Sequence, residues 1–238
     1  MKADLKKALQ EAFEAPAPVR REAFLRTVPA AQIGHMRFMI TQIGYIKKWT
    51  WAVSAAAFAI AFYVALSIGK DTVWVISAIV PFIALAFTTE NAKSAAYDME
   101  ELETASRFSL RSVMLARMGI LGFFHMILLC LFILLCRRGS TYTFLQTGVY
   151  LTVPYLLTTT LGLAAVRRIH GRESTYVCMG IAVLVSAFHM ILTGNVRLLY
   201  HEEYFLWWVM AFIALFVLMI AECHKIMNRM EEPVWNLR

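Results

Sequence analysis

The spacing of the charged residues constrains this chain more than any other feature of its sequence. Charges cluster along the chain, and six stretches between the clusters contain no Asp, Glu, Lys or Arg: 49–69, 72–89, 118–136, 139–166, 174–196 and 204–221. A helix rises about 1.5 Å per residue and the hydrocarbon layer of a bilayer is about 30 Å thick, so each stretch can cross a membrane as a helix. The spacing therefore predicts six transmembrane helices.

Composition agrees with this interpretation. Hydrophobic residues make up 60% of the chain, charged residues 16%, and the mean hydropathy is +0.61, which exceeds what a soluble domain of this size usually has. The short alternating segments of a membrane β-barrel are missing. We expect an all-α polytopic protein with a cytoplasmic N-terminal region (1–48), a six-helix transmembrane domain (49–221) and a cytoplasmic tail (222–238). The expected spans are about 49–69, 72–89, 118–136, 147–166, 175–194 and 204–221.

The basic residues predict the orientation of these spans. Placing both termini in the cytoplasm leaves outside only four basic residues, Lys70, Arg137, Arg138 and Arg197, as the positive-inside rule requires. We therefore expect a multi-pass protein of the cell membrane. Topology and contact with anionic lipid account for the net charge of +7, so the charge gives no support to nucleic-acid binding.

The first 48 residues are too long and too charged to be the start of a signal peptide. Prolines divide them into two short predicted helices, about Ala3–Glu14 and Val19–Thr27. Over 32–48, apolar residues recur at steps of three and four beside Arg37, Lys47 and Lys48. This pattern is typical of a helix that lies on the inner membrane surface and turns into the first span.

The longest segment between spans is 90–117. Within it Glu100, Glu103, Arg107 and Arg111 are spaced three, four and four residues apart, so they share one face of a helix. Two interpretations remain open: an amphipathic connector with a solvated charged face, or a helix that docks on a cytoplasmic partner while it continues into the third span.

The run 99–117 (MEELETASRFSLRSVMLAR), with Glu100-Glu101-Leu102-Glu103 at its acidic start, resembles the coupling segment of ABC-2-type transporter permeases. In that family an acidic stretch, a short apolar segment, a small or Ser residue and a basic residue lead into the third of six spans. The resemblance assigns ATPase coupling to seven residues of this chain: Glu100, Glu101, Glu103, Arg107, Ser109, Arg111 and Arg117.

The resemblance implies a permease subunit of an ABC-type exporter that engages a separate ATPase and forms a homodimer or a heterodimer with a related permease. The chain itself has no nucleotide site, because Gly69-Lys70 lacks the upstream glycine of a phosphate loop. We therefore expect no cofactor in this chain and ATP only through the partner ATPase. The alternative is a membrane-bound regulatory or scaffold protein that holds a cytoplasmic factor.

Polar residues within the spans are few. Besides cysteines and tyrosines, the ionisable residues within the predicted spans are His125 and His189. Both are candidates to line a substrate path. Thr158, in a fourth span that Pro154 is expected to bend, is a further candidate. Each either packs in a hydrogen bond between helices or lines a substrate path. The sequence has no catalytic motif, and its four cysteines lack metal-ligand spacing, so we expect neither an enzyme nor a metal site.

Overall fold

The computed structural model describes residues 35–68, 72–92, 110–137, 142–169, 171, 173–195, 200 and 202–229. These residues form seven α-helices and one short 3-10 turn, with no strand among them. In chain order the helices are α1 His35–Tyr45, α2 Lys48–Ile68, α3 Val73–Asn91, α4 Leu110–Cys136, α5 Phe144–Arg168, α6 Glu173–Asn195 and α7 Phe205–Arg229. The prediction of an all-α fold is confirmed for the described part of the chain.

Six of these helices, α2 to α7, are long and apolar enough to cross a membrane. Their order and number match the six predicted spans. Several helices are longer than the charge-free stretches: α4 begins at Leu110 and α7 continues to Arg229. The chain is therefore a multi-pass helical protein by length and composition, while the sidedness of its termini stays a prediction.

Helices α3 and α5 form the centre of the bundle. Within the span of α5, 72% of the residues are buried, against 6% in the span of α7. Helices α2, α5 and α6 pack on α3, and α7 packs on α5. The main apolar cluster includes Ile76 and Val80 of α3, Phe132 of α4 and Leu151 of α5. Helices α3 and α5 approach each other closely at Gly162, because a Cβ at that position would lie 2.5 Å from Cγ2 of Thr88.

Local sequence explains several helix ends. The backbone N–H of Thr143 donates to Oε1 of Gln146 at 2.9 Å, which caps the start of α5. Gly171, with φ of 81°, forms the turn that joins α5 to α6. The hydroxyl of Ser174 donates to the carbonyl of Gly171 at 2.9 Å and closes the start of α6. Pro81 and Pro154 lie inside α3 and α5 without ending either helix.

The contacts divide the chain into two units, Met1–Phe38 and Met39–Arg238. Of the N-terminal segment, the two short predicted helices lie outside the described residues. The segment predicted to lie on the membrane contains α1, which ends at Tyr45 before α2 begins at Lys48. Met39, Ile40 and Ile43 of α1 are exposed. Their exposure agrees with an apolar face toward lipid, but the position of α1 on the membrane surface stays a prediction.

Candidate functional site

A chain of polar side chains runs through the first four spans. It consists of Thr50 and Ser54 on α2, Glu90 on α3, His125 on α4 and Tyr155 on α5, and we call it the buried polar chain. Every member is less than 9% exposed, and His125 is completely buried. Such groups are costly in a lipid environment and are usually found where a membrane protein has a function.

Direct hydrogen bonds join the members. The hydroxyl of Thr50 donates to Oε2 of Glu90 at 2.6 Å. The hydroxyl of Ser54, one helical turn further along α2, donates to the carbonyl of Thr50 at 3.1 Å and lies 3.4 Å from Nε2 of His125. On the other side of the imidazole, Nδ1 lies 3.1 Å from the hydroxyl of Tyr155. The contacts thus link α2 to α3, α4 and α5.

These bonds assign the tautomer of His125. The single hydroxyl proton of Ser54 is used by the carbonyl of Thr50, so Nε2 of His125 must carry a proton to bond that oxygen. A neutral imidazole then accepts at Nδ1, and the hydroxyl of Tyr155 is the donor. The ring is enclosed by Phe87, Phe124 and Tyr155, whose ring centroids lie 5.9 to 6.2 Å away. His125 therefore connects Ser54 of α2 to Tyr155 of α5 within an apolar pocket.

The buried polar chain ends at Glu90, where the predicted coupling segment begins. Glu90 is next to the last residue of α3, and Asn91 follows it, 3% exposed, with its Nδ2 donating to the carbonyl of Phe87 at 2.8 Å. Helix α4 begins at Leu110. Both ends of segment 90–117 are therefore continuous with spans.

The structure covers only part of the predicted coupling residues. Glu100, Glu101, Glu103, Arg107 and Ser109 lie outside the described residues. Arg111 lies in the first turn of α4, and Arg117 is half-buried two turns further along the same helix. Their role in coupling stays a prediction.

The three predicted path residues lie in different surroundings. His125 belongs to the buried polar chain. His189 is 5% exposed, and its ring stacks on Trp208 of α7 with centroids 6.0 Å apart. Thr158 is buried, and its hydroxyl donates to the carbonyl of Pro154 at 2.8 Å within its own helix. His189 and Thr158 are not members of the buried polar chain, and a role in a path stays a prediction for each of the three residues.

The sequence interpretation missed four members of the buried polar chain. Thr50 and Ser54 carry a usable signal, because two hydroxyl residues four positions apart share one face of an otherwise apolar span. Glu90 was placed in the connecting segment because it ends a charge-free stretch. Nothing in its local sequence indicates that the carboxyl group is buried.

Charged groups also meet at the C-terminal ends of α5 and α7. Nε of Arg167 donates to Oε2 of Glu222 at 2.8 Å, and Nζ of Lys225 donates to Oε1 of the same carboxylate at 2.8 Å. Among the described residues, no group of three or more His, Cys, Asp or Glu is arranged to hold a metal ion.

Comparison with known proteins adds no assignment: no family model matches the chain, and neither the curated proteins nor the solved structures contain a match.

Proposed function

We propose that this chain is the transmembrane permease subunit of an ABC-type exporter, coupled through segment 90–117 to a separate cytoplasmic ATPase. The proposal places both termini in the cytoplasm and the protein in the cell membrane. The chain contributes the path and has no catalytic role of its own, and ATP is hydrolysed by the partner. Two copies, or one copy and a related permease, enclose the path.

The observation that best supports this proposal is the hydrogen bond between Thr50 and Glu90. A transporter driven by an ATPase needs a connection between its coupling segment and more than one span. Glu90 begins that segment, and Thr50 of α2 holds its carboxyl group inside the bundle. A displacement of the segment would move α3 and α2 at its N-terminal end and α4 at its C-terminal end.

The charged row of the segment provides the test. We expect the double substitution Glu103→Arg and Arg107→Glu to leave the protein inserted and folded, because the two residues keep opposite signs. The same exchange presents the wrong charges to a partner, so ATPase co-purification from native membranes should fall. The measurement is ATP hydrolysis in the affinity-purified sample.

A matched exchange at Glu22→Arg and Arg26→Glu in the N-terminal segment serves as the control and should have a smaller effect. Equal ATPase recovery from the unchanged protein and the Glu103/Arg107 variant would overturn the coupling assignment. Cross-linking in native membranes that returned only monomer would count against a shared path.

A membrane-bound regulatory or scaffold protein is the second candidate. The division of the contacts into Met1–Phe38 and the remainder of the chain favours it, since a separate N-terminal unit is suited to holding a cytoplasmic factor. Deletion of residues 2–34 distinguishes the two candidates. The permease proposal predicts that ATPase recovery is kept, whereas a regulatory protein would lose its cytoplasmic partner.

A further inference from the structure

An apolar groove of about 490 Å³ lies between α2 and α3. It is independent of the buried polar chain and of the coupling segment. Eight residues line it, and all of them are apolar: Trp49, Ala52, Val53, Ala56, Ala57 and Ile60 from α2, with Ile79 and Phe82 from α3. The groove therefore accepts a hydrocarbon rather than a polar ligand.

The length of the groove matches one leaflet of a membrane. Trp49 and Ile60 mark its two ends on α2, and a helical rise of about 1.5 Å per residue separates them by about 16 Å. The hydrocarbon layer is about 30 Å thick, so this distance is roughly half of it. Ala52 and Ala56 lie on one row of α2, and their short side chains leave room for a lipid chain lying along the helix.

A positive charge lies at one end of the same row. Lys48 is exposed and precedes Ala52 by one helical turn, beside Trp49, which is 75% exposed. Lysine at the end of a span extends its ammonium group toward the headgroup region, and tryptophan is enriched at that depth. The charge at this end is complementary to a phosphate.

We propose that the groove binds one anionic phospholipid, with an acyl chain along Ala52 and Ala56 and its phosphate beside Lys48. A transmembrane helix of a second copy is the competing occupant, since small residues four positions apart also mark contacts between helices. Lys48, on the same row as the two alanines, favours the lipid as the occupant. Its charge attracts a phosphate but has no partner on an apolar helix.

The test measures phospholipid bound to the full-length protein. The protein is purified in mild detergent, exchanged into mixed micelles containing equal phosphatidylglycerol and phosphatidylcholine of the same chain length, and examined by native mass spectrometry. We expect one retained phosphatidylglycerol per chain. Ala52→Leu with Ala56→Leu fills the groove and should remove most of this lipid.

The matched control is Ala55→Leu with Ala59→Leu. These alanines are exposed on the same helix but do not line the groove, so the same added volume should leave phosphatidylglycerol retention unchanged. Lys48→Gln tests the headgroup contact without changing the groove. It should reduce the preference for phosphatidylglycerol over phosphatidylcholine about fivefold, as expected for loss of one basic residue near an anionic lipid, whereas Arg168→Gln at an exposed site on α5 should not.

Full retention in the Ala52/Ala56 variant, or equal loss in the Ala55/Ala59 control, would overturn the proposal. So would an unchanged lipid preference in Lys48→Gln. If filling the groove converted a dimer to a monomer and left the bound lipid unchanged, a second copy would be the occupant. None of these outcomes depends on whether the chain couples to an ATPase.

Discussion

His125 shows how a polar residue is accommodated inside this bundle. It is completely buried, yet each ring nitrogen has a partner, Ser54 on one side and Tyr155 on the other. Buried polar groups with partners stabilise one arrangement of helices, whereas the same groups without partners are costly. At this scale, stability depends on hydrogen bonds that join helices far apart in sequence.

Removal of the hydroxyl of Thr50 should expose this dependence. In Thr50→Val, Oε2 of buried Glu90 loses the hydroxyl donor that lies 2.6 Å away. We expect the free energy of unfolding to fall by roughly 1–3 kcal/mol, the usual cost of leaving a buried acceptor without that bond. Thermal unfolding in detergent measures the change.

Thr152→Val is the control, because the hydroxyl of Thr152 donates to the carbonyl of Gly148 in its own helix. If Thr152→Val lowered the free energy of unfolding as much as Thr50→Val, the contact between the Thr50 hydroxyl and the Glu90 carboxyl group would contribute no more than a bond within one helix.

Gly162 permits the close contact of the two central helices. In Gly162→Ala the new Cβ would meet Cγ2 of Thr88 at 2.5 Å and its Cβ at 3.0 Å, inside the α3–α5 contact. We expect a destabilisation of about 1–3 kcal/mol from overpacking, measured as a lower unfolding temperature. Thr88→Ser removes Cγ2 and should partly restore the stability of the Gly162→Ala protein.

Gly180→Ala in α6 is the comparison, because a Cβ there meets nothing within 4 Å. Its unfolding temperature should stay the same or rise, since alanine favours a helix more than glycine does. Equal losses at the two glycines would contradict the close-contact explanation.

At the scale of the helices, α7 has the smallest share of fully buried residues among the six spans, 6%. Phe205, Trp208 and Phe212 of α7 pack on the main apolar cluster, and the contact of Glu222 with Arg167 adds a polar attachment between α7 and α5. The carboxylate also accepts from Lys225, one turn further along α7. The attachment lies at the same membrane face as the two ends of segment 90–117.

A double-mutant cycle with Arg167→Gln and Glu222→Gln measures this attachment. We expect a coupling free energy of about 0.5–3 kcal/mol, the range for residues in direct contact. Lys225→Gln should cost less, about 0.5 kcal/mol or below, because that residue is more exposed and pairs within one helix. If the effects of the Arg167 and Glu222 substitutions were additive, the two residues would not be coupled and the pair would not attach α7 to α5.

At the scale of the whole molecule, the orientation of the bundle in the membrane is open to a direct test. In a cysteine-free background, Thr143→Cys lies at the end of α5 that is predicted to face outside, and Glu173→Cys lies at the end of α6 that is predicted to face the cytoplasm. Both positions are exposed. An impermeant thiol reagent applied to intact cells should label position 143 and leave position 173 unlabelled. The reverse pattern would contradict the predicted orientation and place segment 90–117 outside the cell.

The number and order of the long helices followed from sequence because a bilayer imposes a local rule. Each span must be apolar over its own length and must satisfy its own backbone hydrogen bonds, so the gaps between charges were enough to predict α2 to α7. Helix ends were less predictable: α4 begins at Leu110 and includes Arg111 and Arg117, because charged residues can extend a helix beyond the membrane.

The sequence by itself thus determined which segments are long and apolar enough to cross a membrane, and it indicated that buried histidines need partners. Only the tertiary structure decided that α3 and α5 are central, that Gly162 faces Thr88, and that Glu90 reaches Thr50 rather than solvent. The physical reason is that apolar composition makes a helix soluble in lipid without specifying its neighbours. Those neighbours are selected by side-chain shape and by hydrogen bonds between positions 30 to 71 residues apart, as in the buried polar chain.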